Sequence, residues 1–469
     1  MIILGTNSIK DTGYDVANSL RFNAGSSDHL SKTYSSAGNR DTFTFSTWVK
    51  RGILGTEQRI FSSANTSGTN AYGALQFHPT YDDLIMFHYD GSSNYSYHRT
   101  NRQFKDPSAW LHICIAVDTT QSTASNRVKI YINGSQETSF RTETTPNQNT
   151  DMQWNTAEKH WVGAGDNDSG GQSRFLDGYL AETVFIDGLQ LAPTSFGEFD
   201  EDSGIWKPKD VSGLTFGNNG FYLDFEDSSA LGNDAAGSNN FTVNNLTAID
   251  QSTDTCTNNF ATLNPLEPSP NAITFSEGNL VEVGSGGNGG RFVGGTIAVS
   301  SGKWWCEIKV TVNGSYPIIG IIDSRSYFKM QSDYFVEGSQ TAQNRSGYAA
   351  FTNADVYNNG DNNFGSWETY GNGDIIGLGI DMDAGTPTFT LQKNGGDEKT
   401  FTAEVPPSGF YTFPAIGGYY ASAKAEVNFG NPPYAISSGN TDGEGFGNFE
   451  FAVKSGYFAL CTKNLAEYG

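Results

Sequence analysis

Residues 42–51, TFTFSTWVKR, alternate without a break. Phe43, Phe45 and Thr47 fall on one side, and Thr44, Ser46 and Trp48 on the other. A period of two is the signature of a β-strand, whose successive side chains point to opposite faces. Further along, WLHICIAVD (110–118) is almost continuously apolar, as a central strand buried on both faces should be. VKIYING (128–134) ends in Asn133-Gly134, a pair that tolerates positive φ and closes tight hairpins. FLDGYLAETVFIDG (175–188) reads as two short strands separated by a turn. No apolar stripe of helical period persists for three turns in this block.

The same pattern returns later in GKWWCEIKV (302–310), YPIIGIID (316–323), GDIIGLGIDMD (373–383), TFTLQKNG (388–395), YTFPAIGG (411–418) and AEVNFG (425–430). The fold class expected is therefore all-β: two β-sandwich (jelly-roll) modules joined by a turn-rich connector. The boundaries read as an N-terminal arm over 1–18, a first sandwich over 19–190, a connector over 191–271, a second sandwich over 272–432 and a C-terminal extension over 433–469. The connector is rich in Pro, Gly and acid and closes on the proline cluster PLEPSP (265–270). The tail, GYFALCTKNLAEYG (456–469), shows one strand-like run and then a polar end.

Composition supports this reading and excludes several functions. Aromatic residues reach 13% while charged residues stop at 17%, a balance suited to many short strands rather than to helices. Lys and Arg number 28 against 51 Asp and Glu, so the net charge of −23 repels phosphate backbones and anionic membranes. The same charge argues against binding anionic polymers unless divalent cations bridge the two. Cys114, Cys256, Cys306 and Cys461 show no metal-binding spacing and read as free thiols. The N-terminal MIILGTNSIKDTGYD has no basic region and only a short apolar run, so no signal peptide is expected. No stretch approaches the ~20 apolar residues of a membrane span.

Two blocks resemble known families. SLRFN, TFTFSTWVKR, WLHICIAVD, VKIYINGSQ and FLDGYLAETVFID follow one another as in a concanavalin A-like jelly roll of the laminin G type. GKWWCEIKV, GDIIGLGIDMDAGTPTFTLQKNG and AEVNFG resemble, in order, three motifs of the SPRY domain. The arrangement of arm, jelly roll, connector and SPRY-like module resembles tail-fibre and other virion-surface proteins of marine bacteriophages. That resemblance implies a non-catalytic structural or recognition protein of a virion, a tail or surface fibre mediating host attachment. It implies contacts with other virion proteins through the arm, a homo-oligomer with a trimer favoured, and a host surface glycan or protein as receptor. Nucleic acid and membrane insertion are not expected. A capsid-decorating or tail structural protein without receptor binding is one alternative, and a polysaccharide-acting glycosidase of the concanavalin A-like fold is another.

A glycosidase needs two carboxylates, presented in this fold along one strand at alternate positions. The nearest pattern, Glu198, Asp200 and Asp202, runs straight into Ser-Gly and lies outside the jelly roll, so it reads as a solvated acidic turn. No nucleophile elbow, HExxH or P-loop occurs. No enzyme is expected. Laminin G domains resembling this one often carry calcium on a loop rim. Asp166 and Asp168 in GAGDNDSGG (163–171) are the residues that would hold it, and no other cofactor is expected. For a glycan, aromatic rings with polar neighbours on an exposed loop are the chemistry required. Tyr95, Tyr97 and His98 in NYSYHRTNRQ (94–103), and Trp367 and Tyr370 in FGSWETYGNGD (364–374), are the candidates.

Overall fold

The computed structural model describes residues 9–64, 71–93, 95–166, 172–266, 273–284, 291–312, 317–324, 347–358, 361–406, 411–418 and 424–469. The chain divides into two compact units, Thr12–Thr257 and Met1–Asp11 with Asn258–Gly469.

Among the described residues the first unit holds two eight-stranded antiparallel sheets. Thr42–Arg51 lies inside one of them, between Leu111–Asp118 and Gly178–Asp187. Its Phe43, Phe45 and Val49 enter the core beside Ile113, Ile115 and Val117, facing Phe61, Leu75 and Met86 of the other sheet. Burying each such side chain contributes about 1.5–3 kcal/mol. Asn133 and Gly134 take φ of 47° and 75°, turning Val128–Ile132 back into Ser135–Gln136 as the Asn-Gly pair predicts. A side chain on Gly134 would stand 2.3 Å from the Trp206 ring.

FLDGYLAETVFIDG departs from its sequence reading. It forms one strand, Gly178–Asp187, with a bulge between Ala181 and Val184 and a left-handed φ of 48° at Glu182. The extra residue of a bulge shifts the alternation by one, which in sequence imitates a turn.

The outer face of this first sheet is roofed by the chain itself. Trp48, Cys114, Val184 and Ile186 pack under Val16, Phe196, Trp206 and Val211. The stretch after residue 190 also adds Phe221–Leu223 and Gln251–Ser252 to this sheet and Thr242–Asn244 to the other. The sequence that resembles a connector is thus built into the first unit as far as Thr257. Tyr14 and Val16, within the stretch read as an arm, pack on the same roof.

In the second unit an eight-stranded sheet faces a six-stranded one among the described residues. Trp304, Ile308, Val310, Leu378 and Phe389 meet Ile319, Ile321 and Ile416 in the core. Trp305 alternates to the other face, where Phe260, Phe449, Tyr457 and Cys461 cover it. The tail adds Phe458–Ala459, parallel to Lys303–Val312, and ends in a short helix, Thr462–Tyr468, where the sequence showed only a polar end.

Glu307 ties this C-terminal covering down. Its buried carboxylate accepts hydrogen bonds from the backbone N–H of Phe451 (2.8 Å) and Glu450 (3.0 Å) and from Asn428 Nδ2 (3.2 Å). Burial pushes its pKa up to about 6 despite these donors. Glu307→Ala strands them, so a loss of roughly 2–3 kcal/mol is expected in calorimetry of the second unit. Limited proteolysis should then cut within 440–455 first; an unchanged cleavage pattern would contradict this anchoring role.

All four cysteines are free. Among the described residues no helix is long and apolar enough to cross a membrane.

Candidate functional site

Among the described residues, the outer face of the second sheet of the first unit is only partly covered. Four neighbouring strands, Gln58–Ala64, Tyr72–Phe77, Asp83–Tyr89 and Tyr95–Gln103, supply it. Alternation sends Ile60, Leu75, Phe77, Leu84 and Met86 inward to the core. The intervening residues face outward, and the register sets them in rows. Tyr72 pairs with Tyr89 and Tyr89 with Tyr95; Ala74 pairs with Phe87 and Phe87 with Tyr97; Gln76 pairs with Ile85 and Ile85 with Arg99.

The first two rows form the wall of a pocket of about 400 Å3. Tyr72 meets Phe87 edge-on at 4.9 Å between centroids and Tyr89 at 5.8 Å, while Phe87 and Tyr97 lie nearly parallel at 6.5 Å. Polar groups are set among these rings. The Arg59 guanidinium lies 5.8 Å from the Tyr72 ring and 5.7 Å from Phe87, with its Nε donating to Gln76 Oε1 at 3.2 Å. Arg174 Nε stands 3.0 Å from Glu57 Oε1. His88 borders the pocket, but alternation turns its ring inward with Met86; burial lowers its pKa to about 4, and its Nδ1 accepts the Gln153 N–H, so the ring is neutral with its proton on Nε2. Apolar rings for the flat faces of a ligand, with a few fixed polar groups beside them, are the usual makeup of a small-ligand site.

Of the residues singled out in sequence, Tyr95 and Tyr97 are brought together here. Tyr95 is 56% exposed and Tyr97 half-buried. They do not lie on a loop: Tyr95–Gln103 is a strand. Its alternation turns His98 to the opposite side, where it is buried against Phe140 and burial lowers its pKa to about 4. His98 is therefore a core residue rather than part of a binding surface. In the second unit Tyr370 is also buried, its hydroxyl 2.7 Å from the Ala350 carbonyl and 2.9 Å from that of Pro317. Trp367, 6.0 Å from the Tyr370 ring, packs half-buried against the core. Neither builds an open aromatic platform.

Asp166 is half-buried on the short strand Gly165–Asp166, and its backbone carbonyl accepts a hydrogen bond from Arg174. Asp168 lies outside the described residues. Among the described residues no group of three or more His, Cys, Asp or Glu is placed to hold a metal ion. Glu198 and Asp200 sit on a hairpin with Lys207, which approaches them at 3.8 and 3.3 Å. Hydrogen bonds from Ser203 hold the Asp200 pKa down at about 2, where it cannot serve as a general acid near neutrality. In the pocket itself, Glu57 is the sole carboxylate among the described lining residues.

Sequence reasoning missed Tyr72, Phe87, Tyr89, Arg59 and Gln76. The available signal was the set of aromatics at alternate positions opposite the core-facing residues, Tyr72 in YGALQF and Phe87 and Tyr89 in DLIMFHY. Only strand register, however, shows that they converge.

A search of the curated proteins finds no match for the chain. Similar solved structures include the SPRY domain of human HERC1, at 18% identity over 35% of this chain and 96% of that one, with a TM-score of 0.27. A native heptameric SAP-like pentraxin from Limulus polyphemus matches at 17% identity, covering 38% and 80%, with a TM-score of 0.29. The mouse laminin alpha1 chain, domains LG4-5, matches at 11% identity, covering 89% of both chains, with a TM-score of 0.31. At this identity and these scores the likenesses carry no argument about function. Residues 24–189, roughly a third of the chain, match the laminin G-type family of the concanavalin A-like lectin/glucanases superfamily, and this matched stretch carries every described lining residue of the pocket.

Proposed function

We propose that this chain is a non-catalytic recognition protein that holds a saccharide in the aromatic pocket of its first unit, and that it serves as a fibre or surface protein of a bacteriophage virion. The observation that carries the binding role is the double row of rings, Tyr72–Tyr89–Tyr95 and Phe87–Tyr97, flanked by Arg59 and Gln76. Acid–base hydrolysis of a glycosidic bond generally uses two carboxylates, and among the described lining residues Glu57, already beside Arg174, is a single one. The virion setting rests on the resemblance of the module order to tail-fibre and other virion-surface proteins, which also implies a homo-oligomer attached to other virion proteins.

The test is a glycan array read with the full chain, with isothermal titration on the hits. Changing Tyr95 and Tyr97 to Ala should weaken binding at least tenfold, about 1.4 kcal/mol, while circular dichroism stays unchanged. The intact chain should release no new reducing ends from the bound glycan. Turnover by the wild type that vanishes in Glu57→Gln would replace this reading with a glycosidase. Array binding unaffected by the double variant would remove the pocket from recognition.

A further inference from the structure

The third row of the same face, beyond the pocket, ends in a cluster the proposed function does not use. Arg99 Nε lies 3.0 Å from both carboxylate oxygens of buried Asp83. Arg141, from the neighbouring strand Phe140–Thr144, approaches the same carboxylate at 3.5 Å. The two guanidinium carbons stand 5.0 and 4.3 Å from the ring of Tyr81, which is 39% exposed.

One arginine suffices to satisfy Asp83, and Arg99 does so with both oxygens. Arg141 sits farther away, its side chain 38% exposed, at the irregularity between Phe140 and Thr142 that sets it beside Arg99. Two guanidinium groups against one carboxylate leave one positive charge at a point on a chain whose total is −23. Arg99 Nη2 finds no acceptor among the described residues. Buried, that donor is shut off from an arriving ligand, whereas the Arg141 side chain is 38% exposed and presents its donors to the surface. Planar guanidinium groups on an aromatic ring are well suited to grip a carboxylate or sulfate by paired hydrogen bonds.

We infer that Arg99, Arg141 and Tyr81 form a second subsite that receives the acidic substituent, carboxylate or sulfate, of a saccharide lying across this face from the aromatic pocket. This rests on the proposed saccharide-binding role and adds its substrate class. The overall negative charge disfavours anionic polymers at long range, but it is screened beyond about 8 Å at physiological salt. At contact the local arginines decide.

The test uses the full chain and three oligosaccharides of equal length: neutral, uronate-containing and sulfated. Tighter binding of either acidic oligomer than of the neutral one is expected, weakening as salt rises. Arg141→Gln, on an exposed side chain, should reduce acidic affinity about tenfold and leave neutral binding unchanged, with Arg141→Lys recovering part of the loss. Equal affinity of the wild type for neutral and acidic oligomers, or acidic binding untouched in Arg141→Gln, would overturn the subsite. If neutral binding persists and is lost in the Tyr95 and Tyr97 variant, the pocket reading survives that failure. If no oligomer binds, both readings fall.

Discussion

Replacing Asp254 with Ala is expected to destabilise the first unit by about 3–5 kcal/mol, the range for breaking a buried ion pair from one side. Lys50 and Asp254 are both fully buried, with Nζ 2.6 Å from Oδ2. Trp110 Nε1 donates to the other oxygen at 3.0 Å, and the ammonium lies 5.7 Å from the Tyr179 ring. Burial pulls the Lys50 pKa down while Asp254 pushes it back up. Removing the carboxylate leaves an ammonium in the protein interior and an indole N–H without its acceptor. For a unit of this size the loss corresponds to a fall in Tm of roughly 10 °C. Calorimetry should show it in one transition only. Changing Lys50 to Met together with Asp254 to Leu should recover more than half of the loss, because the charge then disappears with its partner. A Tm within 2 °C of wild type for Asp254→Ala would mean that the stretch after residue 190 is not anchored to the sandwich as the structure describes.

The second large effect is a pH dependence located at Glu182. Its carboxylate is buried at the bulge of Gly178–Asp187, with the Tyr222 hydroxyl 2.9 Å from both oxygens and that of Tyr14 3.2 Å from one. Burial raises its pKa from 4.5 to about 7, with Asp224 and Glu226 adding to the rise and the two tyrosines opposing it. Cys256 lies close enough for the Glu182 charge to raise its own pKa further. The folded form therefore keeps a proton that the unfolded chain gives up. The stability this proton confers is complete below pH 4.5, declines as pH rises through the window up to about 7, and is absent above it. The span corresponds to roughly 3 kcal/mol. Carboxylates held at lowered pKa, such as Asp118, tilt the profile the other way at more acidic pH. The quantity to measure is thus the difference between wild type and Glu182→Gln. The variant should gain on the wild type steadily between pH 4.5 and 7 and hold its advantage at pH 8. A difference independent of pH would show that Glu182 titrates normally.

Much of the architecture was legible. The strands around Phe43, Ile113, Ile130, Trp304, Leu378 and Phe389 are read directly from alternation, and Asn133-Gly134 marks its hairpin. Each misreading has its own physical cause. Glu182 sits in a bulge that breaks the period, so one strand looked like two. NYSYHRTNRQ shows no apolar alternation because the buried side of the strand carries Ser96, His98 and Thr100 while Tyr95 and Tyr97 stand on the more open side, so a strand looked like a loop. Tyr370 carries a polar tip, but its hydroxyl is placed against backbone carbonyls inside the core.

Strand identity depends on residues two apart, so the sequence by itself determined the all-β class, both sandwiches and the inward residues of most strands. Which outward face stays open does not depend on neighbours in sequence. Trp48 and Phe87 alternate in the same way, yet Trp48 is roofed by Val16 and Trp206 while Phe87 lines a pocket. The difference arises from where residues 191–257 fold back, a matter of long-range packing. The rows that join Tyr72, Tyr89 and Tyr95, and that bring Arg99 beside Arg141, arise from strand register. A shift of one residue in that register would turn every one of these side chains to the other face, which is why tertiary structure alone decided the site.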